Sequence, residues 1–255
     1  MATQKETKLK KLFKLLYPNN VLTSALLESN GVSRHLRRYY QQSGWIDPIG
    51  RGAYKKPGDT IEWQAGVNAL QSQLNIRVHV GGLTALALHG FSHYFRLSKE
   101  TLYLFSPLQT RLPQWFIDYN WKVDLFLKTT SFLPKTTGIK EMDIKDIRVN
   151  VSTPERAILE CLYLAPQHAD LVECYQVLEG LVNLKPILVS ELLFSCNSIK
   201  VKRIFLYMAE KVNHQWFQFL KVDKINIGSG DRIITKNGVY NSKYQITIPK
   251  ELVEL

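Results

Sequence analysis

Turn-forming residues divide residues 1–58 into short pieces, and their spacing restricts the N-terminal fold more than any other feature of the sequence. Pro18 with Asn19-Asn20 ends an amphipathic stretch over 4–17, Asn30-Gly31 ends a second stretch, and Gly44 ends a third. The run Pro48-Ile49-Gly50-Arg51-Gly52 is then typical of a tight loop between two short strands. The predicted order is helix, helix, turn, helix and hairpin, which is the order of a winged helix-turn-helix.

Capping residues define where these helices begin. Thr23 is expected to cap a short helix that runs through Leu27, and Ser33 is expected to cap a helix over 34–42. A hydroxyl at either position accepts a hydrogen bond from a free N–H of the first helical turn. Trp45-Ile46 and Ala53-Tyr54 are the predicted strands of the hairpin that follows.

The third predicted helix has one apolar face, formed by Val32, Leu36 and either Tyr39 or Tyr40. Cations and amides cover its other sides, as expected of a helix that rests on a core and offers donors to base edges and phosphates. Arg51 lies between two glycines at the tip of the predicted wing, where it suits the DNA backbone or minor groove. The predicted DNA contacts are Thr23, Ser33, Arg34, His35, Arg37, Arg38, Gln41, Arg51, Tyr54, Lys55 and Lys56.

The distribution of charge supports this assignment. The chain has 33 Lys and Arg against 22 Asp and Glu, a net charge of +11. Residues 1–60 hold eleven of those cations and four of the acids, so +7 lies in the first quarter of the chain. A basic balance favours polyanionic partners. A basic helix face is often simply solvated, so the prediction depends on the ordered set of helices, turn and wing together.

The remainder of the chain has a mixed pattern, and the predicted fold class is α+β. A Pro57-Gly58-Asp59 turn marks the expected boundary between an N-terminal winged helix (1–58) and a larger C-terminal domain (59–255). Helical and strand patterns mix over 59–151, helices are predicted over 152–221, and 222–255 is β-rich. The predicted strands of this tail include 224–227 (KINI), while 141–146 is predicted to be a solvated stretch.

Cysteine usage and hydropathy indicate a cytoplasmic protein with no membrane partner. Cys161, Cys174 and Cys196 are odd in number, form no Cys-x-x-Cys motif and lie in apolar helical surroundings, so reduced core thiols are expected. No uninterrupted apolar segment follows the N-terminal lysines, and no uncharged stretch reaches transmembrane length.

Five short motifs resemble, in their order, the AbiEi-type antitoxins of bacterial type IV toxin–antitoxin and abortive-infection systems. The resemblance covers most of residues 1–165. The motifs are Gly31-Val32-Ser33 with Leu36-Arg37-Arg38-Tyr39, Gly44-Trp45-Ile46, Gly50-Arg51-Gly52-Ala53-Tyr54, Gly81-Gly82-Leu83-Thr84-Ala85-Leu86 with His89-Gly90, and Ser152-Thr153-Pro154-Glu155-Arg156-Ala157.

This resemblance implies a function. Members of the family repress their own operon by binding double-stranded DNA at inverted repeats in the promoter, through the winged helix. They also counter a nucleotidyltransferase-type toxin without forming a stable complex with it, an action that needs the C-terminal domain. For this chain we accordingly expect no catalytic residues, no cofactor and no metal site. A ligand-responsive repressor, whose second domain senses a small molecule, is the first alternative.

An enzyme is the second alternative, because nucleotidyltransferases bind phosphates at a glycine turn that follows a strand, and here a predicted strand leads directly into Gly81-Gly82. Arg96 and Ser98 precede the next strand as in that class, but the strand itself (100–105) lacks the acid pair that holds Mg²⁺. The competing interpretation is that the two glycines let a helix pack tightly on a strand.

Other candidate sites are weaker. Asp124, Asp143 and Lys145 loosely fit a nuclease pattern, and His79, His89 and His93 a metal site. Gly90 directly after His89 argues against the metal site, because it is expected to end the helix. Glu155 and Arg156, on the first turn of a predicted helix, are assigned to a favourable helix-dipole interaction and to bracing of a neighbouring strand, rather than to antitoxicity.

Overall fold

The computed structural model describes residues 8–91 and 100–255. His93, Arg96 and Ser98 lie outside the described residues. Two compact units make up the chain. The first contains Met1–Val78, Gln109–Leu125 and Glu141–Asn150, so it extends beyond the predicted boundary at residue 58. The second contains His79–Leu108, Phe126–Lys140 and Val151–Leu255.

Helices and strands alternate through the N-terminal half, and helices dominate after residue 153. In the described residues the α-helices are α1 (Lys8–Leu15), α2 (Ser24–Ser29), α3 (Arg34–Gln42), α4 (Trp63–Asn68), α5 (Gly82–Leu86), α6 (Gln114–Asp118), α7 (Pro154–Leu164), α8 (Leu171–Gly180), α9 (Pro186–Ser195), α10 (Ile199–Val212) and α11 (Lys250–Glu254). The strands are β1 (Leu22–Thr23), β2 (Asp47–Gly50), β3 (Ala53–Lys55), β4 (His79–Val80), β5 (Thr101–Ser106), β6 (Asp124–Thr129), β7 (Ile139–Ile144), β8 (Ile147–Ser152), β9 (Arg232–Ile233), β10 (Val239–Asn241) and β11 (Ile246–Ile248).

Three helices and a small antiparallel sheet form the N-terminal part of the first unit. The sheet has the order β1-β3-β2, with Leu22 opposite Tyr54 and Asp47 opposite Lys55. One apolar cluster holds these elements together, and its buried members are Leu12, Leu22, Leu27, Val32, Tyr40 and Ile46. All three helices, β1 and β3 therefore contribute side chains to the same core, as in a winged helix-turn-helix.

Residues beyond the predicted boundary complete this unit. The π-helix Ala69–Gln73 continues α4, and the Gln73 amide bonds two backbone groups next to β1. Its oxygen accepts from Thr23 N at 2.9 Å, and its nitrogen donates to Val21 O at 2.6 Å. The sheet edge at β1 would otherwise leave buried backbone groups without partners, which is costly. The sequence pattern alone gives no reason to include Gln73 in the N-terminal unit.

A five-stranded mixed sheet has the order β6-β5-β4-β8-β7. In the second unit, β4 pairs antiparallel with β5 (His79 opposite Phe105) and parallel with β8 (Val80 opposite Val151). The β4 residues are buried, as expected for the central strand of a sheet. The stretch 141–146 is exposed or half-buried, as predicted, but most of it forms the edge strand β7. The adjacent exposed residues Lys140 and Glu141 interrupt the apolar–polar alternation of this strand, so it resembles a loop in sequence.

Helices α7 to α10 occupy 154–212, where helices are predicted. Pro154 and Pro186 lie in the first turns of α7 and α9, where the missing N–H costs nothing. Ser198 caps α10, and its oxygen accepts from Val201 N. The faces of these helices that contact one another are rich in fully buried aliphatic residues. Cys161, Cys174 and Cys196 are free and buried in this region, as predicted.

The C-terminal tail forms a three-stranded sheet of order β10-β11-β9. The fully buried guanidinium of Arg203, on α10, holds the tail in place by donating to Ile227 O at 2.7 Å, Gly230 O at 2.6 Å and Gln245 O at 2.9 Å. The prediction of a strand over 224–227 is wrong: a 3-10 turn over Val222–Lys224 precedes an irregular segment. In this segment the Asn226 and Ile227 carbonyls accept from Lys202 and Arg203. Among the described residues, no helix has the length and apolar character needed to cross a bilayer.

Candidate nucleic-acid interface

The helix-turn-helix is defined by two hydroxyl caps and a glycine turn. Thr23 Oγ1 accepts from Leu26 N at 3.2 Å at the start of α2, and Ser33 Oγ accepts from Leu36 N at 3.4 Å at the start of α3. Between the helices, Gly31 has a φ of +81°, a conformation that a side chain would strain. Both caps are those predicted from the sequence, because capping is a local interaction.

Helix α3 is seated by Val32, Leu36 and Tyr40. Tyr40 is 5% exposed and Tyr39 is 56% exposed, so Tyr40 is the tyrosine of the apolar face. Burial, with a smaller contribution from neighbouring Tyr39, raises the pKa of the Tyr40 phenol. The phenol therefore stays neutral within the apolar cluster.

The outward side of α3 is cationic and open. Arg34, His35, Arg38 and Gln41 are all exposed, and Ser33 is exposed at the helix N-terminus. Arg34 and Arg38 lie one turn apart, on the same side of the helix. Neither arginine has an ion-pair partner in the part of the chain that the structure describes. These donors are therefore available to an anionic ligand.

Two of the predicted contacts are turned inward, and their assignment is corrected. Arg37 is 6% exposed; its Nη1 donates to Val32 O at 3.1 Å, and its Nη2 pairs with Glu28 Oε1 at 2.8 Å. It therefore ties α3 to the preceding turn and to α2. Thr23 is 1% exposed, and its hydroxyl is engaged in the α2 cap. Neither side chain reaches the open surface of α3.

The predicted wing is a hairpin of β2 and β3 with Arg51 exposed at its tip. The prediction of Trp45-Ile46 as its first strand is wrong, because the residues that pair with β3 are those of Asp47–Gly50. Gly52 has a φ of +92°, and its carbonyl accepts from Ser24 N at 2.8 Å, which fixes the tip to the start of α2. Lys56 is exposed. Tyr54 packs partly against the core, and the Lys55 ammonium donates to the Asp59 carbonyl. Arg51 and Lys56 are thus the more open cations of the wing.

The open basic surface, as we use the term below, consists of Ser33, Arg34, His35, Arg38, Gln41, Arg51 and Lys56. These residues combine guanidinium forks, an imidazole, an amide, an ammonium and a helix N-terminus. Such groups bind phosphate oxygens and the acceptor atoms of base edges.

The backbone of the glycine turn at 81–82 binds a carboxylate of the protein, that of Glu160. Glu160 is fully buried, and its Oε2 accepts from Gly82 N at 3.0 Å and from Ser152 Oγ at 2.8 Å. Its Oε1 lies 2.9 Å from His79 Nε2 and accepts from Arg156 Nε at 2.8 Å. Burial opposes ionisation, but His79, Arg156 and the Gly82 N–H together hold the pKa of Glu160 below its usual value.

The close packing at this turn favours the structural interpretation of the two glycines. A Cβ on Gly81 would lie 2.3 Å from Glu160 Oε2 and 2.6 Å from Phe105 Cδ2. The backbone donor that would seat a phosphate is therefore directed at a carboxylate. Glu160 is not among the residues predicted from the sequence, although a lone acid inside the apolar run 157–164 is the signal that could have identified it.

The remaining candidates have structural partners. Arg156 also donates to Pro134 O and Thr137 O, both at 2.7 Å, and Glu155 Oε1 accepts from Lys185 N at 3.0 Å. His89 Nε2 lies 3.0 Å from Ser152 O.

Asp143 and Lys145 of the nuclease pattern are engaged in separate ion pairs. Lys145 pairs with Glu62 at 2.6 Å, and Asp143 pairs with Arg148 at 3.3 Å. Across residues 8–91 and 100–255, no group of three His, Cys, Asp or Glu side chains could hold a metal ion.

Comparison with known proteins adds family matches over nearly the whole chain. Residues 5–97 match the family described as "Transcriptional regulator, AbiEi antitoxin N-terminal domain". Residues 99–249 match the family described as "Transcriptional regulator, AbiEi antitoxin, Type IV TA system". No curated protein matches the chain.

Among solved structures, the crystal structure of the RV2827C protein from Mycobacterium tuberculosis is similar in fold. The two share 14% sequence identity with a TM-score of 0.59, and the match covers 92% of this chain and 89% of the other. At this identity the likeness concerns the fold alone.

Proposed function

Since the chain belongs to the AbiEi antitoxin family of type IV toxin–antitoxin transcriptional regulators, we propose that it binds DNA through α3 and represses its own operon. The observation that carries this proposal is the outward side of α3, where Arg34 and Arg38 are exposed without an acidic partner in the described residues. A helix with this face, seated on a compact core, suits the major groove of duplex DNA.

Each group of the open basic surface has a role in this proposal. Arg34 and Arg38 present planar forks that match O6 and N7 of guanine, while His35 and Gln41 contact neighbouring bases or the sugar–phosphate backbone. Ser33 accepts its capping bond through Oγ and can still donate its O–H proton to a phosphate at the helix N-terminus. Arg51 and Lys56 bind the flanking minor groove or backbone.

Four of the predicted contact residues support the DNA-binding surface and are not part of it. Thr23 and Arg37 shape the helix-turn-helix from within, and Tyr54 supports the wing. Lys55 folds back onto the Asp59 carbonyl, so we expect it to contribute little beyond its charge. The target we propose is an inverted repeat in the promoter, contacted by two copies of the protein.

We further propose that the chain opposes a nucleotidyltransferase-type toxin without forming a stable complex, and that it is not itself an enzyme. Family membership supports the first part. The Glu160 carboxylate at the Gly81-Gly82 turn supports the second, because it takes the N–H that a transferred nucleotide would need. The buried, free Cys161, Cys174 and Cys196 fit a reducing, cytoplasmic compartment.

Fluorescence anisotropy with the full chain tests DNA binding. A duplex from the region upstream of the gene is compared with a scrambled duplex, for the native protein and for Arg34→Ala and Arg38→Ala. We expect each substitution to cost about 1–3 kcal/mol on the promoter duplex and less on the scrambled one. Arg232→Ala, which removes an exposed arginine from β9, is the matched control and should bind as the native protein does.

Unchanged promoter affinity in both α3 variants would contradict the assignment of α3 as the reading helix. Co-expression with the adjacent gene, scored by growth, tests antitoxicity separately. We expect rescue by the native protein and also by Arg34→Ala when both are expressed from a foreign promoter. A toxin that stays active in the presence of the native protein would refute the antitoxin proposal while leaving DNA binding intact.

A further inference from the structure

We propose that Arg111, in a segment far from the helix-turn-helix in sequence, binds the DNA backbone beside the wing. The inference rests on the proposed DNA-binding function and extends it to a residue within the C-terminal family match, which spans 99–249. Residues 109–125 nevertheless belong to the same compact unit as the winged helix.

Helix α6, which follows Arg111, lies directly against the wing. A Cβ placed on Gly50 would be 2.7 Å from Trp115 Cβ and 2.9 Å from Trp115 Cα. Contact this close involves the backbone of α6 and needs a glycine in β2. Arg51, at the wing tip, is the next residue after Gly50. The wing tip and α6 are therefore immediate neighbours within the first unit.

Aromatic packing fixes the position of α6. Trp115, Phe116 and Trp121 are each at most 4% exposed. The ring centroid of Phe116 lies 5.7 Å from that of Trp115 and 5.3 Å from that of Trp121. Trp121 Nε1 donates to Phe116 O at 2.7 Å. Gly66, on α4, makes room for the Trp121 ring, because a Cβ there would lie 2.5 Å from Trp121 Cη2. A segment anchored in this way presents its exposed side chains at a defined place.

Arg111 is within reach of the wing tip. Trp115 is four positions further along the chain, so the Arg111 Cα lies no more than about 14 Å from the Trp115 Cα, and the long arginine side chain extends its reach. Arg111 is exposed and has no ion-pair or hydrogen-bond partner in residues 8–91 and 100–255. A duplex bound at the wing carries a phosphate charge about every 1.7 Å along its axis, so a free arginine at this distance has phosphates to bind.

This placement predicts a contact that contributes affinity without contributing sequence preference. One phosphate contact adds about 0.9 to the slope of log affinity against log salt, which amounts to about five- to tenfold in affinity near 0.1 M salt. Arg111→Ala should therefore weaken promoter and scrambled duplexes by the same factor and reduce the slope by about one. Arg111→Lys keeps the charge and should keep most of the slope.

Salt-dependent anisotropy of the full chain with both duplexes tests the inference. The variants are Arg111→Ala, Arg111→Lys, Arg34→Ala and the control Arg232→Ala, with thermal unfolding of each to verify the fold; Arg111→Gln replaces the alanine variant if that one unfolds early. A reduced slope for Arg111→Ala, with the slopes of Arg111→Lys and Arg232→Ala near the native value, would support the inference.

If Arg111→Ala matches the native protein while Arg34→Ala loses promoter binding, the inference is overturned and the proposed function stands. The inference also fails as stated if Arg111→Ala changes only the promoter affinity, because that would indicate base reading. Absence of duplex binding by the native protein at low salt overturns the proposed function, and this inference with it.

Discussion

Substitutions of two adjacent arginines on α3 should have different effects, one on stability and the other on DNA binding. Arg37 is 6% exposed and bonded to Val32 O and Glu28, while Arg38 is exposed. Replacing each with methionine keeps the aliphatic stem and removes the guanidinium. We expect Arg37→Met to destabilise the helix-turn-helix and leave its DNA-reading surface in place. Arg38→Met should do the opposite.

The magnitudes follow from the contacts. Arg37→Met removes a hydrogen bond from a charged donor to a nearly buried carbonyl, worth about 1.5–3 kcal/mol. The pair with Glu28 adds less, about 0.2–1 kcal/mol, because the Glu28 side chain is 57% exposed and screened by solvent. The expected loss is about 2–3 kcal/mol. Arg38→Met should change stability by less than about 0.5 kcal/mol and weaken promoter binding about five- to 150-fold.

Native-state hydrogen exchange at the backbone amides of α2 and α3 is the appropriate measurement, because it reports the free energy of opening of this unit alone. A whole-chain melt would mix the responses of two units. Anisotropy at a temperature where both variants are folded gives the affinities. If Arg37→Met leaves exchange unchanged and weakens promoter binding more than scrambled binding, Arg37 is a base contact and our assignment of the two arginines is wrong.

Three further changes test the second unit. Glu160→Gln should lower the free energy of unfolding of this unit, measured in urea, by about 3–5 kcal/mol, because Arg156 would keep a buried charge without its carboxylate partner. The control Glu191→Gln, at an exposed hydrogen bond to Thr137, should cost less than about 0.5 kcal/mol. Equal effects of the two substitutions would contradict the buried network. Because the pKa of Glu160 is lowered, its contribution is present above the unfolded carboxyl pKa and lost as the pH falls through the folded value, so the gap between native protein and Glu160→Gln should close in acid. Gly81→Ala should cost about 1–3 kcal/mol, because its Cβ would overlap Glu160 and Phe105; a neutral result would show that the turn is looser than the structure indicates. Thr153→Val should be neutral or stabilising, since Thr153 Oγ1 is buried without a hydrogen-bond partner in the described residues, and a clear loss in the urea midpoint would reveal an unrecognised partner.

Local chemistry made the helix-turn-helix predictable. The Thr23 and Ser33 caps bind N–H groups three residues away. Gly31 and Gly52 adopt positive φ, each in its own short turn. Interactions at this range depend on neighbouring residues in the chain, so a single sequence contains all the information they need. The order of helices and wing strands in residues 8–58 follows the prediction for that reason.

The side that each residue of α3 presents was harder to predict. A short helix offers a narrow apolar stripe, and a stripe with Tyr39 or one with Tyr40 both satisfy the spacing. The structure buries Tyr40 in one apolar cluster with Leu27 and Val32, so the choice depends on residues of α2 and of the turn. Arg37 therefore appears in the sequence as one more exposed cation, and burial of its guanidinium becomes visible only when α2 and α3 are packed together.

The same limit applies to the edge strand and to the short helix beside the wing. The alternation of β7 is interrupted by two consecutive charged residues, Lys140 and Glu141, and α6 has only five residues, too few for a periodic signal. Trp115 and Gly50 are distant in sequence, and neither has a feature that names the other as its partner. The extension of the N-terminal unit to residues 109–125 was accordingly not predicted.

Amino-acid order alone determined the capped helices, the glycine turns, the hairpin and the concentration of positive charge in the first quarter of the chain, because these depend on residues a few positions apart. Tertiary packing decided which arginine of α3 is free, which carboxylate fills the turn at 81–82 and which distant segment supports the wing. Those outcomes depend on burial and on hydrogen-bond partners brought together from remote positions, such as Gly82 and Glu160, and a one-dimensional pattern does not encode that proximity.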